Sequence, residues 1–297
     1  MTAPLAYLNG KFVPFAEASL PLHDAGFASG ATVVDNARTF RHRLFRWPDH
    51  LARFRRDCGT CFVPLDHTDA QLTAAAEQLV AHNAKILSPG GELQLVTFAT
   101  PGPLGLYAGE PDGPPTLGMV MYPLPFARYR RFFTDGVRLA VAGALPPSLV
   151  PPTAKHRSRM AWHVAAHRVP PGTTAVLTDG AGNVTETAVA NVLAVFDGVV
   201  TSPPRDSVLD GISLRVTQEL CAAGGLGWAE RPIPVGDVAK ASEAMLTGTG
   251  FCVAGVRGID AVELPWPGPV FSTLLAAWSE LVGVDVAGQF VGGGRSS

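Results

Sequence analysis

Apolar and polar positions change their period several times along this chain, and each change marks an element. In "YLNGKFVPF" two short apolar runs flank Asn9-Gly10, the pattern of two strands joined by a tight turn. "ATVVDNARTF" and "RHRLFRW" read as a second strand pair. Pro48 then opens a helix, "PDHLARFRRDCGTCF", with Leu51, Phe54 and Cys58 on one face. "DAQLTAAAEQLVAHNAKIL" is a second amphipathic helix, and "GELQLVTFAT" and "TLGMVMYPL" are strands. This first half predicts an α+β unit.

The texture changes after "YPLPFARYRRFF". "VRLAVAG", "TTAVLTD", "NVTETAVANVLAVFDG" and "VVTSP" predict strands joined by Asp-Gly and Gly-rich turns, and "ISLRVTQELCAAGG" a helix closed by glycines. The expected organisation is an N-terminal domain over 1–121, a linker over 122–133, a C-terminal domain over 134–290 and a disordered tail over 291–297.

Composition narrows the class. With 297 residues, 47% hydrophobic and 16% charged, the chain can bury a sizeable core, and disorder is excluded. A net charge of −2 gives no general attraction to nucleic acid or to an anionic membrane. No apolar stretch approaches the ~20 residues of a membrane span, and the start lacks the basic-then-apolar order of a secretory signal. A cytoplasmic location is the expectation. "CGTC", with Cys58 and Cys61, has redox or zinc-knuckle spacing but no second pair to complete a zinc site, so free thiols are expected.

Only four of the 23 basic residues are lysines. Lys11, Lys85 and Lys240 lie in ordinary solvated contexts. Lys155 stands in "LPPSLVPPTAKHRSRMAW", directly before His156, Arg157 and Arg159. Neighbouring cations favour the neutral amine, the nucleophile that condenses with carbonyls; the same segment also reads as a basic surface loop. Glu186 raises a second question, because it is a lone carboxylate in the apolar, β-branched run "GNVTETAVANVLAVFDGVVTSP". "LDGIS" places Gly211, Ile212 and Ser213 at a helix start, where free N–H groups favour an anion.

Lys155, "LTDGAGNVTETAVANVLAVFDG", "LDGIS" and "MLTGTG", in this order and at these spacings, resemble the class IV aminotransferase family, the fold-type-IV pyridoxal-phosphate enzymes. The resemblance runs from "YLNGKFVP" to "GPVFSTLLAAW". It implies two α/β-type domains, like those of D-amino-acid aminotransferases, with pyridoxal 5'-phosphate in the interdomain cleft. Lys155 would bind the cofactor covalently and then move a proton between substrate and cofactor. Glu186 would face the ring nitrogen. Ile212 and Ser213, Gly248 and Thr249, and Arg53 in "DHLARF" would hold the phosphate. Gly250 and Ser29 would border the substrate, and Asn191 would support the turn near Glu186. Arg38 would serve either a substrate carboxylate or an ion pair with Asp35.

The resemblance further implies an amino donor and a 2-keto acid as substrates, two half-reactions, and a homodimer in which the 100–115 loop closes the neighbour's site. Two departures matter. Met160 replaces a tyrosine of branched-chain members, and Ser29 an aromatic pocket residue. The "KH…R" run is also similar to aminodeoxychorismate lyase, which eliminates pyruvate with the same cofactor. "HVAAH" puts His163 and His167 four apart, but Val164 stands where zinc hydrolases carry a glutamate, so no metal is expected.

Overall fold

Asn9 and Gly10 both take positive φ, 48° and 83°, so the first turn bends with the hand that twisted strands need. The strands it joins are β1 (Leu5–Leu8) and β2 (Lys11–Pro14). The computed structural model describes residues 3–292. After the short helix α1 (Ala25–Ala28) come β3 (Val33–Phe40), β4 (Arg43–Leu44), α2 (Trp47–Thr60), α3 (Asp69–Asn83), β5 (Leu93–Thr100) and β6 (Thr116–Pro123). These strands form one antiparallel sheet in the order β2-β1-β6-β5-β3-β4. Its inner face, Val33, Ala37, Leu93, Leu95, Leu117 and Met119, packs on Leu51, Phe54, Cys58, Leu72, Ala76 and Leu79 of α2 and α3. Thr68 and Gln71 cap α3 reciprocally, which explains its sharp start.

Two compact units divide the described residues: 3–124 with 154–158, and 125–153 with 159–292. The units divide between residues 124 and 125, inside the stretch expected to be a linker, but that stretch is folded. It contains the end of β6 and a helix, α4 (Phe126–Thr134). Tyr129 and Phe132 of that helix pack on Phe251, and Phe126 and Phe133 on Phe290. This aromatic stripe recruits the segment into the second unit. Arg128, Arg130 and Arg131 remain on the exposed face, as a solvated basic patch.

The second unit continues with β7 (Val137–Ala144), α5 (Met160–Arg168), β8 (Thr174–Thr178), β9 (Val184–Thr187), β10 (Asn191–Phe196), β11 (Val199–Ser202), α6 (Ile212–Ala223) and β12 (Gly227–Glu230). It ends with α7 (Val235–Val238), β13 (Glu243–Gly248), β14 (Cys252–Ile259), β15 (Val262–Glu263), α8 (Pro269–Val282) and α9 (Val286–Gly292). Its sheet runs β12-β11-β10-β13-β14-β7-β8-β9, and β9 also pairs with β10, so β10, β13, β14, β7, β8 and β9 close a barrel. The closing pair is Asn191 with Glu186. The run "NVTETAVANVLAVFDG" is therefore two strands, broken at 188–190, and the break creates the seam at which Glu186 stands. Val291 and Gly292 of the expected disordered tail end α9; residues 293–297 lie outside the described residues. No single helix among the described residues is long and apolar enough to cross a membrane, and the apolar pair α8–α9 is bent by 92°.

Candidate active site

In the first unit, α2 buries two stripes. Trp47, Leu51, Phe54 and Cys58 form the apolar one. His50, Arg53 and Asp57, at i, i+3 and i+7, form a polar one, and all three are at most 3% exposed. Facing them from β3 is Asp35, also buried. One Asp35 oxygen meets His50 Nδ1 at 2.6 Å and the other accepts from Arg53 Nε at 2.8 Å. Burial alone would push the Asp35 carboxyl up, but Arg53 and His50 more than offset this and hold it at about 2. Burial lowers His50 despite Asp35 beside it, so its ring stays neutral to below the usual range.

Both Asp35 oxygens are thus engaged by α2. The ion pair with it that the sequence offered to Arg38 goes instead to Arg53. Arg38, 1% exposed, lies over the Phe40 ring at 3.9 Å and donates to the Thr39 carbonyl.

Residues 154–158 run along β3. Val34 N–H donates to the Lys155 carbonyl (3.0 Å), Val33 bridges to His156, and Arg157 N–H donates to Thr32. The Lys155 N–H donates to Asp57 Oδ2 at 2.9 Å. The Lys155 side chain is half-buried beside the α2 polar stripe, close enough to His50 for their charges to interact. Ser29, at the end of α1, is exposed and donates its hydroxyl to Ala25; the adjacent Gly30 carbonyl accepts from Ser158.

In the second unit, Glu186 is half-buried at the barrel seam. Its Oε2 accepts the Leu209 N–H at 3.2 Å. Asn191, 4% exposed, donates Nδ2 to the Leu209 carbonyl at 2.8 Å. Leu209 is therefore held from both of its backbone groups by the closing pair. Gly211 caps the helix that follows, and a β-carbon on it would sit 2.2 Å from Asn191 Oδ1, so only glycine lets the turn come this close. Ile212 and Ser213 are the first residues of α6, and no side chain caps that N-terminus. Its leading N–H groups are left for an external acceptor.

β13 ends at Gly248, and Thr249 and Gly250 make the turn into β14, with Phe251 N–H donating to the Gly248 carbonyl. Gly248 lies against the Val189 carbonyl and Gly250 against the Tyr129 ring, distances that a side chain would violate. Thr247, opposite Asn191, has a buried hydroxyl with no partner. Within this unit the structure brings together the seam, the α6 start and the β13–β14 turn in sequence register: Thr247 and Glu186 both pair with Asn191. Uncapped helical N–H groups and the Ser213 hydroxyl can donate to a phosphate, and a fixed carboxylate can accept from a protonated ring nitrogen.

The supporting places of His50, Asp57, Asp35 and Arg159 escaped the sequence reading. Arg159 donates to the Ala188 carbonyl beside the seam. The signal for His50 and Asp57 was present: two polar residues in register with Arg53 on a helix that must bury most of its surface.

The amino-transferase class IV model matches residues 32–259, and the chain belongs to that family. It is an enzyme, a pyridoxal-phosphate-dependent aminotransferase. A putative branched-chain-amino-acid aminotransferase of Methanocaldococcus jannaschii is 26% identical, over 86% of this chain and 87% of that one. A D-alanine aminotransferase of Staphylococcus epidermidis is 22% identical, over 86% and 88%. The branched-chain aminotransferase of the thermophilic archaeon Thermoproteus uzoniensis, solved with norvaline, superposes with a TM-score of 0.81 at 22% identity, covering 94% of this chain and 95% of that one.

Proposed function

We propose that Lys155 is the amine that binds pyridoxal phosphate and then serves as general base and acid, that Glu186 keeps the ring nitrogen protonated, and that the α6 start with Ser213, the Gly248–Thr249 turn and Arg53 hold the phosphate. When bound, the cofactor supplies an electron sink that lets an amino group pass from an amino acid or primary amine to a 2-keto acid. What this chain contributes is position. The fixed carboxylate of Glu186, tied to Leu209, offers a charge that need not reorganise as electrons move into the ring. The Lys155 amine, on a main chain laid along β3, would take a proton from the substrate α-carbon as base and give it up at the cofactor's C4′ as acid. Ser29, Gly250 and Arg38 are assigned to the substrate side. Arg53 reaches this role already paired with Asp35, which fixes its guanidinium without removing its charge.

The observation that carries this reading is the clamp of Glu186 and Asn191 on Leu209, three residues before the helix start that would take the phosphate. A homodimer is part of the proposal. Leu22, Phe27, Leu106 and Tyr107 are 66–86% exposed on neighbouring segments of the first unit, an apolar surface suited to a second copy. Cysteines held as thiols, among them the buried Cys58 and Cys221, support a cytoplasmic location.

The test is a panel of D- and L-amino acids added singly to the purified yellow enzyme. Bleaching of the bound cofactor to its aminated form by a subset, reversed by 2-keto acids, is expected. Release of pyruvate and p-aminobenzoate from aminodeoxychorismate without such bleaching would assign the chain to elimination instead.

A further inference from the structure

A carboxylate that is 1% exposed is costly unless each of its oxygens is engaged, and Asp57 engages both. Oδ1 pairs with Arg56, at 2.9 Å to Nη2, and Oδ2 accepts the Lys155 backbone N–H at 2.9 Å. The second contact joins residues 98 apart in sequence. It stands where a regular antiparallel ladder would carry the Lys155 N–H to the Val34 carbonyl, since Val34 already donates to the Lys155 carbonyl. A charged acceptor there makes a stronger bond than a carbonyl would.

We propose that Asp57 is a positioning residue for Lys155, fixing the lysine's main chain against β3 so that its amine pivots from one place. The proposal rests on Lys155 being the reactive amine. Its logic is geometric. The amine must alternate between holding the cofactor and carrying a proton, and both positions are reached by rotating one long side chain about a single Cα. The Lys155 carbonyl is held by β3, and its N–H by α2, so the main chain on both sides of that Cα is tied to different elements of one compact unit. Asp57 follows Arg53 by one helical turn and shares its face, so the helix that carries the proposed phosphate arginine also sets the pivot. Burial pushes the Asp57 carboxyl up, and the Lys155 N–H and Arg56 pull it part of the way back.

The four lysines make the test direct. In holoenzyme labelled with ¹⁵N-lysine, four backbone amide signals are expected, with that of Lys155 downfield from its bond to a carboxylate. Asp57→Asn keeps an oxygen in place without the charge. It should move the Lys155 signal upfield, leave the other three, and retain turnover within about 5-fold. Asp57→Ala should expose the Lys155 amide to solvent exchange at least about 10-fold faster and lower kcat by about 100-fold with KM nearly unchanged, the cost of a misplaced reacting group. A Lys155 signal unmoved by Asp57→Asn overturns the proposal, whether or not the alanine variant folds. So does a folded Asp57→Ala enzyme with wild-type exchange and kcat, or an asparagine variant as slow as the alanine one. Should borohydride attach the cofactor to a different lysine, the assignment of Lys155 fails, and the amide signals still report on Asp57 separately.

Discussion

Glu186 illustrates what a single residue can be asked to do. Its half-burial, its bond to Leu209 and its place at the barrel closure were beyond reach of the sequence, where it is only an acid in an apolar run. Glu186→Gln keeps an oxygen for the Leu209 N–H and removes the charge. A loss in kcat of about 100-fold is expected, with thermal stability close to wild type; an unchanged kcat would remove Glu186 from the chemistry. The Asp35–His50–Arg53 cluster makes a second prediction at this scale. The Asp35 carboxyl sits at about 2 in the folded chain against 3.8 unfolded. That is worth about 2 kcal/mol, present above pH 3.8 and lost as pH falls through 2. His50 is depressed from 6.5, so its contribution is present above pH 6.5 and declines below it, where the unfolded chain binds the proton more readily. Asp57 is raised, and acts with opposite sign, costing stability as pH rises past 3.8. Urea unfolding between about pH 7.5 and about pH 5 should therefore show falling stability as the His50 site of the unfolded chain takes up its proton, and the slope should flatten in His50→Gln. The same slope in both proteins would mean that His50 binds its proton equally in the folded and unfolded chains.

Elements were more legible than contacts. Period-2 and period-3.6 patterns marked the strands of the first sheet and α2, α3 and α6, because those segments bury one face. The 122–133 segment was misread because its prolines and arginines suggested a linker, while its aromatic stripe finds Phe251 and Phe290, far along the chain, only once the chain has folded. Glu243 is a comparable case. It looks like one more polar residue following "DVAKAS", yet it is 3% exposed and accepts from the backbone N–H groups of Val270 and Phe271, so that it caps α8 from a neighbouring strand. A negative charge at that N-terminus also suits the helix dipole. Glu243→Ala should cost about 2–3 kcal/mol by leaving two buried donors unsatisfied, measured as a drop in the urea midpoint with unchanged slope. A loss under about 0.5 kcal/mol would show that water replaces the carboxylate.

At the scale of the whole molecule, the ordered series of motifs carried the family assignment, since no one of them is specific and their order along the chain is. What the motifs left unread is the support behind two of them: the Asp35 cluster behind Arg53 and Asp57 behind Lys155; the support that Asn191 gives to the turn near Glu186 was legible. Asp57 lies 98 residues from Lys155, and nothing local in the sequence ties those two together. The two departures noted in the sequence keep their meaning here. Met160 is 73% exposed at the start of α5, and Ser29 is exposed at the end of α1, so neither position supplies an aromatic group to the site.

Most of this depends on Lys155 being the one amine that binds the cofactor. Borohydride reduction of the yellow enzyme, followed by peptide mass mapping, tests this directly. A pyridoxyl mass on the peptide containing Lys155 is the expected result. The same mass on Lys11, Lys85 or Lys240, or on no lysine at all, would contradict it.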